Sequence, residues 1–178
     1  MIVELARGPL ATLHGNWTLI VFWDGTREAL ALLFGDVKGK KALPCRVHSS
    51  CITAHVFLST ECDCREQMAI SMAFIAEQGA GVVIWLDHEG RANGMMAHVA
   101  SQILKRDGLS QSAAYEHLGY PRDSRIYFPA AEILRQLEID SITVLTNNPD
   151  KIQALREAAS YLAELRNPNP EFEGGAAS

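Results

Sequence analysis

The sequence predicts a mixed α/β fold, in which a strand-rich N-terminal part precedes a series of strand–helix units. Three observations predict this class. Residues 2–34 are rich in strand-forming residues and contain the hairpin signal Asp24-Gly25. Residues 81–86 form an uninterrupted apolar run, which is typical of a buried strand. Segments in which apolar residues recur with helical periodicity lie on both sides of this run, so helices should alternate with the later strands.

The length of the chain limits the number of domains. At 178 residues, of which 48% are hydrophobic, the chain is long enough to bury a sizeable core. We expect a single domain over residues 1–166. Residues 167–178 are rich in Pro, Glu, Gly, Ala and Ser, and we expect a flexible tail there.

The charge and the cysteine content exclude some classes of function. The net charge of −5 provides no global basic field for nucleic acid or for an anionic membrane. No stretch reaches the ~18 apolar residues that a membrane helix needs, and no signal peptide is visible. Four cysteines without a secretion signal indicate reduced thiols, so we expect a cytoplasmic protein.

The first elements are strands. We expect strands at residues 16–23 and 30–34, and a lysine-rich turn follows over residues 35–41. Another strand begins near Pro44. Cys45 lies on it, and we interpret this side chain as packing in the core, because neighbouring strand residues point to opposite faces and the next residue is a polar arginine.

The later elements alternate between helices and strands. Helices are predicted over residues 66–78, 95–107, 110–119 and 129–138, and from the 146–151 segment to about residue 166. A second buried strand is predicted over residues 141–145. Arg91, His98 and Gln102 are spaced i, i+7, i+11, and we expect them to share one helix face.

Three cysteines carry the strongest chemical signal. Cys51, Cys62 and Cys64 are arranged as Cys-x10-Cys-x-Cys. Three neighbouring thiolates suit a tetrahedral Zn²⁺ site whose fourth position stays open for water. The alternative is three core residues, because free cysteine is often buried. The second and third cysteines precede a predicted helix N-terminus, which should lower the pKa of their thiols.

Polar segments follow the two predicted buried strands. Residues 87–94 combine charged residues with two glycines, which is typical of a functional site on a rigid frame. Residues 146–151 lie at a strand–turn–helix junction, where they suit a phosphate or a base edge, or simply cap the helix. Residues 121–125 form a further charged loop.

Four segments together resemble the GTP cyclohydrolase II family of riboflavin synthesis. They are Arg-Val-His-Ser and the three cysteines within residues 46–67, His-Glu-Gly-Arg at 88–91, Asp-Ser-Arg at 123–125, and Thr-Asn-Asn-Pro-Asp-Lys at 146–151. The resemblance runs without apparent gaps from about Arg46 to Arg156, and more loosely to the N-terminus. It implies a GTP cyclohydrolase II-like α/β fold.

The resemblance also implies an activity. Enzymes of this family open the imidazole ring of GTP, release formate and pyrophosphate, and yield a diaminopyrimidinone ribosylamino phosphate. They use Zn²⁺ for the ring and Mg²⁺ for the phosphates, and they are commonly dimeric. We therefore expect a small-molecule purine nucleotide as the partner, a homodimer, and no nucleic acid or membrane.

Site residues follow from the resemblance by position. The zinc ligands are expected to be Cys51, Cys62 and Cys64. The nucleotide-contacting positions are Arg46, Val47, His48, Ser49, Ser50, Gln67, Glu89, Gly90, Arg91, Thr146 and Lys151. Gln67 and Glu89 suit the amino and carbonyl edges of the base. The cations Arg46, Arg91 and Lys151 suit the triphosphate despite the overall negative charge of the chain.

Asp123 and Arg125 match the proton acceptor and the nucleophile proposed for the family. An arginine side chain has a pKa above 12 and is a poor nucleophile. A charge clamp on the α-phosphate, oriented by Asp123, is the more physical role for Arg125. Without the resemblance, a solvated salt bridge in a loop is the alternative interpretation of this pair.

The chain departs from the family at several positions. Ser50 replaces a usual Glu, Arg65 a usual Gly and His98 a usual Lys. Gln102 occupies the position of the family's catalytic Tyr. An amide forms hydrogen bonds but cannot exchange a proton as a phenol does. We therefore expect attack on the ring to persist. Three alternatives stay open for the whole reaction: completion, arrest at the formamide, or use of another nucleotide in a specialised pathway.

A different class of function also fits the sequence. A catalytically silent nucleotide-binding homologue would contain a structural zinc with a closed shell, and Cys45 or His55 would supply the fourth ligand. Three intact thiolates without an obvious fourth ligand favour the enzyme.

Overall fold

The computed structural model describes residues 2–146 and 148–166, and it has the predicted mixed α/β architecture. The strands are β1 (Val3–Thr12), β2 (Gly15–Trp23), β3 (Glu28–Phe34), β4 (Leu43–Ser49), β5 (Gly81–Leu86) and β6 (Ile142–Val144). The helices are α1 (Ile52–His55), α2 (Cys64–Gln78), α3 (Gly94–Arg106), α4 (Gln111–His117), α5 (Phe128–Gln136) and α6 (Pro149–Arg166). None of these helices is long and apolar enough to cross a membrane.

All six strands form one sheet, in the order β1-β2-β3-β5-β4-β6. β1 pairs with β2, β2 with β3, and β3 with β5, each antiparallel. β4 and β6 pair in parallel. The hairpin signal lies between β2 and β3, where the Asp24 carboxylate accepts hydrogen bonds from the main-chain N–H groups of Thr26 and Arg27. The strand-rich N-terminal prediction is confirmed.

Contacts divide the chain into two compact units. One, the sheet unit, comprises Met1–His48, Gln67–Leu86 and the chain from Tyr127 onward. The other, the cysteine unit, comprises Ser49–Glu66 and Asp87–Ile126. The prediction of a single domain over residues 1–166 stays a prediction, and the predicted tail lies outside the described residues.

The core of the sheet unit is a cluster of buried apolar side chains. Ile20, Ile84 and Ile133 have no exposed surface, and they belong to one cluster. Cys45 is equally buried in this cluster, and burial raises the pKa of its thiol to about 12. Its predicted role in packing is confirmed.

Two predictions about local structure are wrong. The strand predicted at residues 141–145 is not buried: Thr143 is exposed, and its neighbours are half-buried. β6 lies at the edge of the sheet and pairs on one side only, which explains this exposure. Arg91 does not share a helix face with His98 and Gln102, because α3 begins three residues after it, at Gly94.

Candidate active site

The three predicted cysteines lie together in the cysteine unit. The Sγ atoms of Cys51, Cys62 and Cys64 all lie within 4.8 Å of one another. The Cys51 and Cys62 sulfurs are 3.7 Å apart. Sulfurs that bind one tetrahedral Zn²⁺ at about 2.3 Å lie about 3.8 Å apart, so the cluster fits such an ion.

Local structure holds the first and third cysteines at helix starts. Cys51 directly precedes α1, and its carbonyl accepts the main-chain N–H of His55 at 3.0 Å. The next N–H group, that of Ile52, donates to Oε2 of Glu89 at 2.8 Å. Glu89 thereby satisfies a helix N–H group that would otherwise lack a partner. Cys64 is the first residue of α2.

The cysteines are free thiols, and metal-free thiols of this cluster are hard to ionise. Burial is the main cause that raises the pKa of Cys62, and proximity to Cys51 adds to it. Burial and the two neighbouring cysteines also raise the pKa of Cys64. The expected lowering by a helix N-terminus is therefore wrong for the metal-free cluster. A bound cation would reverse the shift, because metal coordination deprotonates thiols.

The cluster contains three ligands and no fourth within the part of the chain that the structure describes. No further His, Cys, Asp or Glu joins the three sulfurs there. Cys45, one candidate for a fourth ligand, lies in the core of the sheet unit. His55, the other candidate, is half-buried and outside the cluster. This donor set leaves one tetrahedral position for water or substrate, as in catalytic zinc sites.

A left-handed turn follows β5. Gly90, Arg91 and Ala92 have φ values of 59°, 57° and 64° in succession. Main-chain hydrogen bonds across the turn run from Ala92 to His88, at 3.0 Å, and from Gly94 to Glu89, at 2.9 Å. This conformation costs about 1–2 kcal/mol per non-glycine residue. A Cβ at position 90 would lie 2.5 Å from the Gly94 oxygen, so only glycine fits there.

The turn also holds the charged loop that follows α4. The Arg91 carbonyl accepts the Ser124 N–H at 3.0 Å, and its guanidinium donates to Ser112 Oγ at 2.8 Å. Asn93 donates to the Pro121 carbonyl at 2.9 Å and accepts from Ser124 Oγ at 3.0 Å. These hydrogen bonds fix the position of the loop, and they help to hold the strained turn in its conformation.

Asp123 and Arg125 form a bidentate ion pair in this loop. Arg125 Nε donates to Asp123 Oδ1 at 2.8 Å, and its NH2 group donates to Oδ2. Burial tends to raise the pKa of the Asp123 carboxyl, but hydrogen bonds from Arg125 and the charges of Arg125 and Arg91 lower it overall. Asp123 is therefore an ionised carboxylate whose geometry suits the orientation of Arg125.

Gln102 lies on α3 beside a histidine. Its Nε2 is 3.3 Å from Nε2 of His98, and Thr53 Oγ1 lies 3.4 Å from the same nitrogen. Thr53 Oγ1 is also 3.5 Å from the sulfur of Cys51. Thr53, His98 and Gln102, but not Cys51, line a cavity of about 350 Å³. Gln102 Oε1 is buried in the described structure without a hydrogen-bond partner.

Arg46 and His48, two predicted nucleotide-binding residues, lie on β4. Arg46 is only 7% exposed; it donates to the Leu145 carbonyl at 2.8 Å and to Oε1 of Gln67. The His48 ring stacks on Trp85 with centroids 5.5 Å apart. The structure therefore brings Arg46, His48 and Gln67 together within the sheet unit.

Lys151 is the second buried cation of the sheet unit. It is 7% exposed, and its Nζ donates to the Val47 carbonyl at 3.0 Å. Thr146 Oγ1 accepts the Asn148 N–H at 3.1 Å in a local turn before α6, and Asn148 Oδ1 accepts the Asp150 N–H at 3.0 Å, as a helix-capping residue does. Asn147, which belongs to the same motif, lies outside the described residues. Ser50 and Ser49 belong to the cysteine unit, where Ser50 Oγ donates to Asp87 Oδ1 at 3.3 Å.

Sequence reasoning missed several residues that organise the site. The sequence predicted no role for Thr53 or Asn93, and for His98 it predicted only a shared helix face and a departure from the family. Their partners lie 28 to 45 positions away in sequence. The spacing of residues in one sequence contains no signal for such contacts.

The fold and the cysteine cluster together define a class of protein: an α/β protein with three cysteine sulfurs that could bind one metal ion. The sequence profile described as GTP cyclohydrolase II matches residues 4–160. The chain belongs to the GTP cyclohydrolase II family, and it is an enzyme of that hydrolase type. The resemblance read from the residues is confirmed.

Individual relatives agree with this assignment. GTP cyclohydrolase-2 of Picrophilus torridus is 34% identical over 158 residues, which cover 88% of this chain and 82% of the relative. GTP cyclohydrolase-2 of Salmonella typhimurium is 33% identical over 176 residues, covering 94% and 90%. A structural match was found to RibBX, a two domain 3,4-dihydroxy-2-butanone 4-phosphate synthase from A. baumannii. The matched region covers 83% of this chain and 34% of the RibBX chain, at 18% sequence identity and a TM-score of 0.44. That similarity is too low to support an argument.

Proposed function

We propose that the protein catalyses the zinc-dependent hydrolytic opening of the imidazole ring of GTP, with loss of pyrophosphate and, if the reaction is complete, of formate. The product is a 5-amino- or 5-formamido-6-ribosylaminopyrimidinone phosphate, and the family places this chemistry in riboflavin biosynthesis. The observation that carries the proposal is the sulfur cluster of Cys51, Cys62 and Cys64, whose sulfurs lie within 4.8 Å of one another, with Cys51 and Cys62 3.7 Å apart, in a chain of this family.

The three thiolates are the proposed zinc ligands. When bound, zinc supplies a Lewis acid and a water of lowered pKa as the nucleophile for ring opening. Cys51 and Cys64 are fixed by helix starts, and Glu89 fixes the main chain directly after Cys51. Because Glu89 is 8% exposed and already accepts this hydrogen bond, positioning is its better supported role. Pairing with the base would use its remaining acceptor capacity.

The proposed nucleotide contacts depend on buried cations. Arg46 and Lys151 are both 7% exposed and bonded to main-chain carbonyls, so their charges are held at fixed positions. Fixed cations need no reorganisation when a phosphate binds, which strengthens their effect. Mg²⁺ is expected to accompany the triphosphate.

We assign a charge-clamp role to Arg125. Its side chain is 14% exposed and held by both oxygens of Asp123. A carboxylate with a lowered pKa is a weak base, which argues for orientation as the main role of Asp123. The guanidinium would contact the α-phosphate as pyrophosphate leaves.

The direct test is turnover of GTP by purified protein. We expect about one zinc per chain by elemental analysis, pyrophosphate release in the presence of Mg²⁺, and loss of activity after chelation that added Zn²⁺ restores. Mass spectrometry identifies the pyrimidine product. Zinc-loaded protein that binds GTP without turnover would instead support a silent homologue.

Gln102 supports a second candidate, a reaction that stops at the formamide or uses another nucleotide. The amide occupies the position of a proton-exchanging phenol; the residue lines the cavity, and among the described residues its buried Oε1 has no hydrogen-bond partner. Gln102→Tyr should add formate release if the residue marks the difference. Stoichiometric formate release from GTP by the natural protein would exclude this candidate.

The proposed assembly and compartment follow from the family and the thiols. We propose a homodimer, to be tested by light scattering of the purified chain. Four free cysteines fit the reducing cytoplasm.

A further inference from the structure

The segment between the first two cysteines, residues 52–61, is tied to α3 at both of its ends. Thr53, two residues after Cys51, has its Oγ1 3.4 Å from Nε2 of His98. Glu61, one residue before Cys62, accepts a hydrogen bond from NH2 of Arg106 at 3.1 Å. We call this segment the cysteine loop. Each contact thus lies next to one candidate metal ligand.

The α3 partners form one stripe. His98, Gln102 and Arg106 are spaced i, i+4, i+8, which places them on one helix face. Gln102 Nε2 lies 3.3 Å from Nε2 of His98 and so supports the orientation of the ring. The stripe therefore presents two contacts to the loop from a single rigid element.

The middle of the cysteine loop is exposed, and its main-chain hydrogen bonds, such as that from the Val56 N–H to the Ile52 carbonyl, stay within the loop. Val56, Phe57 and Leu58 are 63%, 72% and 59% exposed, so burial does not anchor them. Leu58 also has a φ of 58°, an unfavourable conformation for a residue with a side chain. A loop with an exposed and strained middle depends on the contacts at its ends.

We propose that α3 braces the cysteine loop, and that His98 and Arg106 are positioning residues that set the separation of the Cys51 and Cys62 sulfurs. The inference rests on the proposed zinc-binding function. The chain from His98 through Thr53 Oγ1 ends 3.5 Å from the Cys51 sulfur. Outer hydrogen bonds of this kind typically change metal affinity by about 10–100-fold.

The two contacts differ in strength. Thr53 and His98 are half-buried, and their contact reaches a ligand sulfur. The Glu61 and Arg106 side chains are 45% and 73% exposed, so water and salt screen their ion pair. Loss of the histidine should therefore matter more than loss of the arginine.

Zinc affinity tests the histidine contact. With a chromogenic chelator as competitor, His98→Ala should bind Zn²⁺ about tenfold more weakly than the natural protein. His117→Ala is the matched control, because His117 is an exposed histidine of the same unit, at the end of α4. A second pair separates the hydrogen bond from packing: Thr53→Val should weaken binding, and Thr53→Ser, which keeps the hydroxyl, should restore it.

The arginine contact gives a smaller effect that depends on salt. Arg106→Ala should lower zinc affinity by about twofold to threefold at low ionic strength and by less at high ionic strength. Arg122→Ala is the control, because it removes a comparably exposed ion pair, with Glu116, that lies outside the cysteine loop.

A readout independent of catalysis completes the test. In the Co²⁺-substituted protein, His98→Ala should shift the thiolate-to-metal absorption bands, because the geometry at sulfur changes. Zinc affinity and Co²⁺ spectra unchanged in both His98→Ala and Thr53→Val would overturn the brace. A natural protein that binds no zinc would instead overturn the proposed function. If His98→Ala fails to fold, the Thr53→Val and Thr53→Ser pair decides.

Discussion

The sheet unit and the cysteine unit hold their residues in place by different means. In the sheet unit, strand pairing and a closed apolar core determine position, and Ile20 and Ile84 are fully buried there. In the cysteine unit, side chains that bond to main-chain groups take this role, as Glu89 does at Ile52 and Asn93 at Pro121. Packed apolar side chains thus dominate in the sheet unit, where Arg46 and Lys151 also bond to main-chain carbonyls, and hydrogen bonds of single side chains dominate in the cysteine unit.

Cysteine provides the clearest instance of this difference. Cys45 and Cys51 are six positions apart, and both are buried. Cys45 packs among apolar side chains in the sheet unit, whereas Cys51 lies 3.7 Å from the sulfur of Cys62. The same residue type is thus structural in one environment and a candidate ligand in the other, and burial alone does not distinguish them.

Replacement of one cysteine from each environment should have the largest effect. Cys64→Ser removes one of three thiolates, and we expect zinc affinity to fall on the order of a thousandfold, with loss of turnover. Cys45→Ala should leave zinc affinity unchanged and lower the free energy of unfolding by about 1 kcal/mol, because it removes one buried atom. Chelator competition and urea unfolding measure the two quantities.

The opposite pattern would break the comparison. If Cys45→Ala released zinc and Cys64→Ser kept it, the metal would not lie at the three-sulfur cluster. Serine is the appropriate replacement at position 64, because it preserves the size of the side chain and removes only the soft ligand atom.

The next largest effect is expected on the free energy of unfolding, when a buried isoleucine and an exposed isoleucine are each replaced by alanine. Ile84 is fully buried on β5, and Ile84→Ala should lower the free energy of unfolding by about 2–5 kcal/mol through a cavity in the core. Ile103 on α3 is 68% exposed, and Ile103→Ala should change the free energy of unfolding by less than about 0.5 kcal/mol. Urea unfolding of zinc-loaded protein measures both.

A large loss of stability in Ile103→Ala would change the view of the cysteine unit. It would mean that the exposed side of α3 is covered in solution, for example by a second copy of the chain. A concentration-dependent unfolding midpoint in the natural protein would then identify that cover.

The sheet unit was the easier of the two to predict from sequence. β5 was predicted at residues 81–86 and has those bounds, because an uninterrupted apolar run is a strong local signal. The helix predicted at 66–78 begins only two residues earlier, at Cys64. The hairpin signal Asp24-Gly25 lies between β2 and β3, as predicted. Each of these features depends on neighbours in sequence.

The cysteine unit was predicted in composition but not in arrangement. The spacing of the cysteines indicated a shared ligand set, and the sulfurs do lie together. The four-residue helix α1 and the left-handed turn at Gly90, Arg91 and Ala92 were not predicted. Both depend on contacts with distant residues, such as Glu89 with Ile52, and local propensity does not encode them.

The smallest effect concerns acid sensitivity of the cysteine unit. Burial is the main cause that lowers the pKa of His98 below its ordinary value of 6.5; Glu89 opposes the shift and Lys105 adds to it. The unfolded chain therefore takes up this proton first as the pH falls. The stability that comes from the neutral imidazole is complete above about pH 6.5 and is lost below it. His98→Gln should flatten this part of the pH dependence.

Metal-free protein is the appropriate sample, because zinc binding has its own pH dependence. Urea unfolding at pH 5, 6, 7 and 8 gives the slope for the natural chain and for His98→Gln. Lys105→Gln is the matched variant: removal of a nearby positive charge should raise the His98 pKa towards 6.5 and reduce the slope only in part. If the slope is the same in all three proteins, His98 titrates alike in the folded and unfolded chains. The acid sensitivity would then arise elsewhere, and the ring would contribute to the cysteine unit through its hydrogen bonds alone.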